Sequence, residues 1–116
     1  MTIFEKIIAR EIPSSIVFEN NDYIAFKDIA PRAPVHVLCV PKKLTTRLDE
    51  MSAVEMGVLM HTASLVARDH CGLTDYRLAV NLGLGAGQIV FHTHVHILGG
   101  WTNHNADAHH AEMGKA

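Results

Sequence analysis

The strongest constraint on the fold is a run of alternating histidines, FHTHVHIL, at residues 91–98. A period of two is typical of a β-strand, in which successive side chains point to opposite faces. The sequence therefore predicts a strand over residues 89–98, with His92, His94 and His96 on one face and about 6.6 Å between successive members. The side chains between them are expected on the opposite face: Thr93, Val95 and Ile97.

Three imidazoles in a row indicate chemistry rather than core packing, because each buried ring needs hydrogen-bond partners. One hypothesis is a metal site, since neutral imidazole is a common zinc ligand. The three rings would span about 13 Å along a straight strand, so His36 from another strand would have to complete the site. The other hypothesis is nucleophilic catalysis by a histidine whose neighbours set its tautomer.

Further elements follow from capping and turn signals. Thr2-Ile-Phe-Glu5 fits a capping box and predicts a short helix from Ile3 to about Arg10, which Pro13 stops. Two apolar runs, Ser15–Glu19 and Tyr23–Asp28, flank a polar turn and predict a hairpin. Val35–Val40 is predicted as a third strand, with His36 on the side of Leu38 and Val40.

A second capping box at Ser52-Ala-Val-Glu55 predicts a helix that reaches about Cys71 and ends at Gly72. Strands are then predicted at Arg77–Asn81 and at the histidine run. Between Met56 and Ala67 the helix has no charged residue and is apolar on every side. Such a helix is buried all round, so we expect one of its faces to contact a second copy of the chain.

Composition limits the function classes. The chain has 116 residues, 12 acidic and 10 basic, and a net charge of −2, without the basic excess of a nucleic-acid-polymer binder. No apolar run has the length of a membrane span, and the charged N-terminus argues against a signal peptide. With only Cys39 and Cys71, a disulfide scaffold is not expected, so a cytoplasmic location is predicted, with no membrane partner.

A glycine-rich loop, NLGLGAGQ, precedes the histidine run at residues 81–88. Glycines permit positive φ and close approach of the backbone to a ligand, and successive amides can bind an anion. The G-x-G-x-G spacing is not a dinucleotide-binding fingerprint, because a strand rather than a helix follows it. Its position beside the histidines favours a phosphate-binding role over an ordinary hairpin loop.

These motifs together resemble the histidine-triad (HIT) family. Residues 92–98, HTHVHIL, match the pattern His-φ-His-φ-His-φ-φ, in which φ is apolar and Thr93 is a polar substitute. Gly99-Gly100 is similar to the branch of histidine-triad nucleotide-binding proteins, HINT. The resemblance runs from Thr2 to Gly100 and also includes residues 25–31 (AFKDIAP), 33–36 (APVH) and 41–43 (PKK).

The resemblance implies an α+β fold with a five-stranded antiparallel sheet, joined to ten strands in a homodimer through the long helices. It implies hydrolysis of purine nucleoside phosphoramidates and acyl adenylates without a metal or any other cofactor. His94 would be the nucleophile that forms a nucleotidyl-histidine, supported by His96 and His36, and His92 would orient its neighbour. The nucleotide-binding residues would be Asp28 for the ribose, Asn81 and Gly87 for the phosphate, and Phe4, Ile7, Ile12, Phe26 and Ile29 for the base.

Two departures bear on specificity. Ile89, which completes the predicted nucleotide-binding residues, stands where the HINT pattern commonly has a serine that contacts the phosphate or leaving group. Leaving-group handling is therefore expected to differ. The polar segment 102–116 is predicted to be a mobile tail beyond a HIT domain of residues 1–101. These departures keep one alternative open, a nucleotide-binding scaffold with incidental hydrolysis. A second alternative is a dinucleoside polyphosphate hydrolase of the same superfamily, against which Gly99-Gly100 argues.

Overall fold

The computed structural model describes residues 1–102, which form an α+β fold. The helices are α1 (Ile3–Ile8) and α2 (Ala53–Leu65), and the strands are β1 (Ile16–Glu19), β2 (Tyr23–Lys27), β3 (Val35–Pro41), β4 (Tyr76–Ala79) and β5 (Val95–Gly99). The strands pair antiparallel in the order β1-β2-β3-β5-β4. The predicted fold is confirmed, whereas the predicted tail lies, from residue 103 onward, outside the described residues.

Both helices begin as the capping boxes predict. The Thr2 hydroxyl accepts the Glu5 N–H at 3.1 Å while the Glu5 carboxylate accepts the Thr2 N–H at 2.8 Å, and Ser52 and Glu55 repeat the arrangement. The helix ends differ from the prediction. Arg10 takes a left-handed φ of 62°, so α1 ends at Ile8, two residues early. The long helix changes to a π-helical turn, Val66–His70, before Gly72.

The two helices cover opposite faces of the sheet. Residues Leu59 and Ala63 of α2 pack on Val95 and Ile97 of β5, as the alternation in the histidine run predicts. Helix α1 packs on the other face, where its contacts are the side chains of Ile24, Phe26, Leu38 and Val40. His36 and His96 belong to this second face, so the site lies on the side of the short helix.

The outer face of α2 is apolar and exposed in the single chain. Val54 is 76% exposed and Val58 45%, whereas Leu59 and Ala63 are fully buried. The helix is therefore not buried all round by its own chain, and the second copy of the chain remains a prediction. No helix within residues 1–102 combines the length and apolar character needed to cross a membrane.

Strand β5 begins at Val95, so the prediction of a strand from residue 89 is wrong. In the antiparallel pairing of β3 with β5, Cys39 lies opposite Val95, and continuing that register would place Pro41 opposite Thr93. Proline has no N–H for the ladder, and the Thr93 N–H instead donates to the Thr45 carbonyl at 2.7 Å. His92 and His94 consequently lie in an irregular segment that leads into the strand.

Candidate active site

Four histidines meet where β3, β5 and the segment before β5 converge. His36, His92, His94 and His96 are each no more than 7% exposed. The ring centroids of His94 and His96 lie 5.0 Å apart, and those of His36 and His96 lie 5.2 Å apart. The structure thus brings together all four predicted catalytic side chains, although only His36 and His96 are strand residues.

The orientation of the His94 ring is set by a backbone carbonyl. Its Nδ1 lies 2.7 Å from the His92 carbonyl oxygen, and because a carbonyl can only accept, Nδ1 must carry the proton. Burial is the main cause of a lowered His94 pKa, so the ring is neutral near pH 7. The lone pair of neutral His94 is therefore on Nε2, the nitrogen that faces away from its own backbone partner.

His36 and His96 form a hydrogen-bonded pair in which the nitrogen that carries each proton can be assigned. The Arg32 N–H donates to His36 Nδ1 at 3.1 Å, so neutral His36 carries its proton on Nε2. This nitrogen donates to His96 Nδ1 at 2.9 Å and has Asp28 Oδ2 at 3.5 Å. His96 must then hold its own proton on Nε2, which makes that nitrogen a hydrogen-bond donor.

Burial also keeps this pair neutral. It lowers the pKa of His96 to about 4, with the neighbouring His94 and His36 adding to the effect. Burial lowers the pKa of His36 as well, against the opposing influence of Asp28. Neutral imidazoles of defined tautomer present a lone pair on one nitrogen and an N–H on the other. They need not lose a proton before they act as nucleophile or donor.

Both ring nitrogens of His92 have hydrogen-bond partners. Its Nε2 donates to the Pro41 carbonyl at 2.7 Å, and its Nδ1 lies 3.3 Å from the Thr2 hydroxyl. That hydroxyl accepts the Glu5 N–H, so it has its own proton to donate to His92. The contact between His92 and His94 is made through the His92 backbone, which agrees with an orienting role.

An apolar cluster adjoins the histidines. Phe4 links the two, because its ring centroid lies 5.4 Å from that of Phe26 and 5.0 Å from that of His94. Most of the predicted base-pocket residues belong to this cluster, which consists of Phe4, Ile7, Ile8, Ile12, Ile24, Phe26, Leu38, Val40 and Val90. A cleft of 310 Å³ opens beside it and is lined in part by Ile7 and Ile12.

Two predicted binding residues stand apart from that cluster. Ile29 is 92% exposed and Ile89 is 80% exposed. Both side chains therefore lie mostly in solvent, whereas Phe4 and Ile7 are buried. Val90, which packs on that cluster, was not among the predicted residues. Ile89 directly precedes it in the irregular segment.

The glycine loop has the backbone that its sequence predicts. Gly83 and Gly87 have φ values of 91° and 94°, which side chains rarely allow. A Cβ added to Gly87 would lie 3.7 Å from the Asn81 side-chain nitrogen. The two residues predicted to hold phosphate are therefore neighbours.

One cluster offers ligand atoms of the kind that zinc prefers. Asp28, His36 and His96 each place one donor atom within 4.8 Å of the others. The sequence hypothesis combined His36 with two residues of the triad, whereas the structure combines it with His96 and Asp28. The chemistry of the set fits zinc, but the two imidazole nitrogens already share a hydrogen bond of 2.9 Å. A metal ion would have to replace that shared proton.

Comparison with known proteins agrees with this geometry. Residues 9–103 match the HIT domain family. The chain belongs to the HIT family. It is 43% identical over 104 residues to "Adenylylsulfatase HINT1" of Arabidopsis thaliana, covering 85% of this chain and 71% of that protein, which supports the HINT branch. It is 45% identical over 105 residues to a "14 kDa zinc-binding protein" of Zea mays, covering 85% and 81%.

One solved structure is similar to this protein over almost its whole length. It is the "HIT family hydrolase from Clostridium thermocellum", with a TM-score of 0.81 and 41% sequence identity. The match covers 90% of this chain and 94% of the other. The similarity therefore extends over most of the length of both chains.

Proposed function

We propose that this HIT protein hydrolyses nucleotides at the α-phosphorus, with purine nucleoside phosphoramidates and acyl adenylates as substrates. The observation that supports this most is the tautomer of His94. Its Nδ1–H is held by the His92 carbonyl at 2.7 Å, so a neutral Nε2 with a free lone pair is available near pH 7. Histidine in this state is a competent nucleophile.

The reaction would proceed in two displacements. His94 Nε2 forms a bond to phosphorus while the P–N bond to the amine breaks, and the amine leaves with the electron pair and takes up a proton. Water then attacks phosphorus in the nucleotidyl-histidine and releases a proton, which balances the proton taken up by the amine. The P–Nε2 bond breaks with its electron pair returning to Nε2, and the nucleoside monophosphate leaves. His96 Nε2–H, which the hydrogen bond from His36 leaves as a donor, would stabilise charge on a phosphoryl oxygen.

The substrate class rests on the surroundings of His94. The amides of the glycine loop suit an anionic phosphate. The half-buried Asp28 carboxylate, which accepts the Ala30 N–H at 2.8 Å, has lone pairs left for ribose hydroxyls. The apolar cluster around Phe4 would contact the base, and a second copy of the chain would cover the exposed apolar face of α2.

Turnover of matched substrates tests the proposal. We expect release of AMP from adenosine phosphoramidate, and also from adenylyl sulfate because an adenylylsulfatase is among the relatives. Diadenosine polyphosphate should be a poorer substrate. Saturable AMP binding without turnover of any of these would favour the scaffold hypothesis, and preferred cleavage of the dinucleotide would favour the polyphosphate hydrolase.

Zinc binding is a second candidate function, favoured by the cluster of Asp28, His36 and His96 and by the relative named for zinc. We expect dialysis against a chelator to leave kcat unchanged within about twofold, because a neutral histidine nucleophile needs no Lewis acid. Metal content measured by atomic emission on the same samples is the control. Loss of turnover on chelation, with recovery on adding Zn²⁺ alone, would contradict the metal-free reaction.

A further inference from the structure

The segment of residues 88–94 contains two of the predicted catalytic histidines but belongs to no strand. A nucleophile on irregular backbone needs other contacts to hold it, since small displacements cost rate. Several of the observed contacts come from the connection between β3 and α2. Two neighbouring residues there, Thr45 and Thr46, bind the segment near both of its ends.

Gln88 fixes the start of the segment. It is 1% exposed, and its side-chain oxygen accepts the Gly83 N–H at 2.8 Å. Its amide nitrogen donates to the Thr46 carbonyl at 2.6 Å and to the Val90 carbonyl at 3.1 Å. One carboxamide thus joins the glycine loop, the β3–α2 connection and the backbone that leads to His92.

Thr93 fixes the end of the segment. It is 1% exposed, and both its N–H and its hydroxyl lie within hydrogen-bond distance of the Thr45 carbonyl, at 2.7 and 2.9 Å. Its hydroxyl is also 2.8 Å from that of Thr45. Thr93 is the position at which this chain has a polar residue in place of the apolar residue of the triad pattern.

These contacts reach His94 through a single peptide unit. The Thr93 N–H and the His92 carbonyl belong to the same planar peptide group. Holding the N–H on Thr45 therefore fixes the direction of the carbonyl that accepts His94 Nδ1–H at 2.7 Å. The direction of that bond determines where His94 Nε2 points.

We propose that Gln88, Thr45 and Thr93 are positioning residues that aim His94. The two threonines clamp the His92–Thr93 peptide against the β3–α2 connection, and Gln88 holds the start of the segment on the same connection. The inference rests on the proposed function for its kinetic effect. It assigns a role to the polar residue at position 93, which packing alone would not require. The hydroxyl pair strengthens a contact that the backbone also makes, whereas Gln88 makes contacts that the backbone cannot replace.

The test uses the full chain with Thr93→Val, Thr45→Val, their double variant and Gln88→Met. We expect kcat on adenosine phosphoramidate to fall about 10-fold for each threonine variant and about 100-fold for Gln88→Met, with KM little changed. The double variant should lose no more than about the larger single loss, because both hydroxyls serve one contact. Thr62→Val is the matched control, since Thr62 is also buried and donates to a backbone carbonyl, that of Val58, at 2.7 Å.

Gln88→Glu adds a signature that a purely structural residue would not give. An ionised carboxylate would face the Thr46 and Val90 carbonyls, and protonation would restore one donor. The ratio of its kcat to that of the unmodified protein should therefore rise as the pH falls. A ratio independent of pH, or a kcat loss at position 93 no greater than that of Thr62→Val at equal melting temperature, would overturn the proposal.

Nitrogen NMR of labelled histidine separates this inference from the proposed function. The unmodified protein should show His94 protonated at Nδ1, and Thr93→Val and Gln88→Met should show a mixture of tautomers. If no substrate is turned over but the tautomer shifts, the proposed function is wrong and the clamp stands. If turnover occurs and the tautomer is the same in every variant, the clamp is wrong.

Discussion

Replacement of His94 by asparagine should reduce kcat on adenosine phosphoramidate by about 10,000-fold or more, as loss of a catalytic nucleophile does in other enzymes. Asparagine keeps an N–H donor near the position of Nδ1, so the bond to the His92 carbonyl can persist. It has no counterpart of Nε2, and the P–N bond to the enzyme cannot form. Steady-state release of AMP measures the loss.

A covalent intermediate gives a second readout for the same variant. Acid-quenched unmodified protein should carry one added nucleotidyl group by mass spectrometry, mapped to His94, while His94→Asn should carry none. His70→Asn is the matched control, because His70 is exposed at the end of the π-helical turn and contacts Phe18. Activity of His94→Asn within tenfold of the unmodified protein would remove His94 as the nucleophile.

The sequence determines much of the fold because its signals are local. The capping boxes at Thr2 and Ser52 and the polar turn after Glu19 each act within a few residues of chain. The alternation of Val95 and Ile97 with His96 correctly places the long helix on the face opposite the imidazoles. These features required no knowledge of distant partners.

The start of β5 shows where local signals fail. The alternating pattern continues through His92 and His94, but Pro41 would lie opposite Thr93 and cannot donate to the ladder. The length of β5 is here decided by Pro41, which lies 52 positions before Thr93 in the sequence. Pro41 is therefore outside the short stretch of residues in which the alternation is seen. The π-helical turn after Leu65 likewise has no separate sequence signal.

The four histidines of the candidate site could be predicted as a set, but which nitrogen of each ring carries the proton could not. The tautomer of His36 depends on the Arg32 amide, and that of His94 depends on a carbonyl two residues before it. The clamp was also missed, since a glutamine in a glycine loop and a Thr-Thr pair in a connection are ordinary surface residues in sequence. Only tertiary contact shows that Gln88 is buried.

The free energy of unfolding should fall steeply as the pH is lowered from 7 to 5. All four site histidines have pKa values lowered from 6.5, mainly by burial. Below pH 6.5 the unfolded chain therefore binds protons that the folded chain does not, and the stability present above that pH is progressively lost. For His96, with a folded pKa of about 4, the loss between pH 7 and 5 is about 2 kcal/mol, and the other three add to it.

Denaturant titrations at pH 7, 6 and 5 measure this dependence, in a window above the range where surface carboxylates such as Glu19 and Glu55 take up protons. His96→Asn should reduce the loss of unfolding free energy between pH 7 and 5 by about 2 kcal/mol, because one titrating ring is removed from the unfolded chain. His70→Asn is the control for removal of a histidine outside the site, because His70 is exposed. A stability that is flat from pH 7 to 5 would contradict the lowered pKa values, because the folded rings would then take up protons over the same pH range as the unfolded chain.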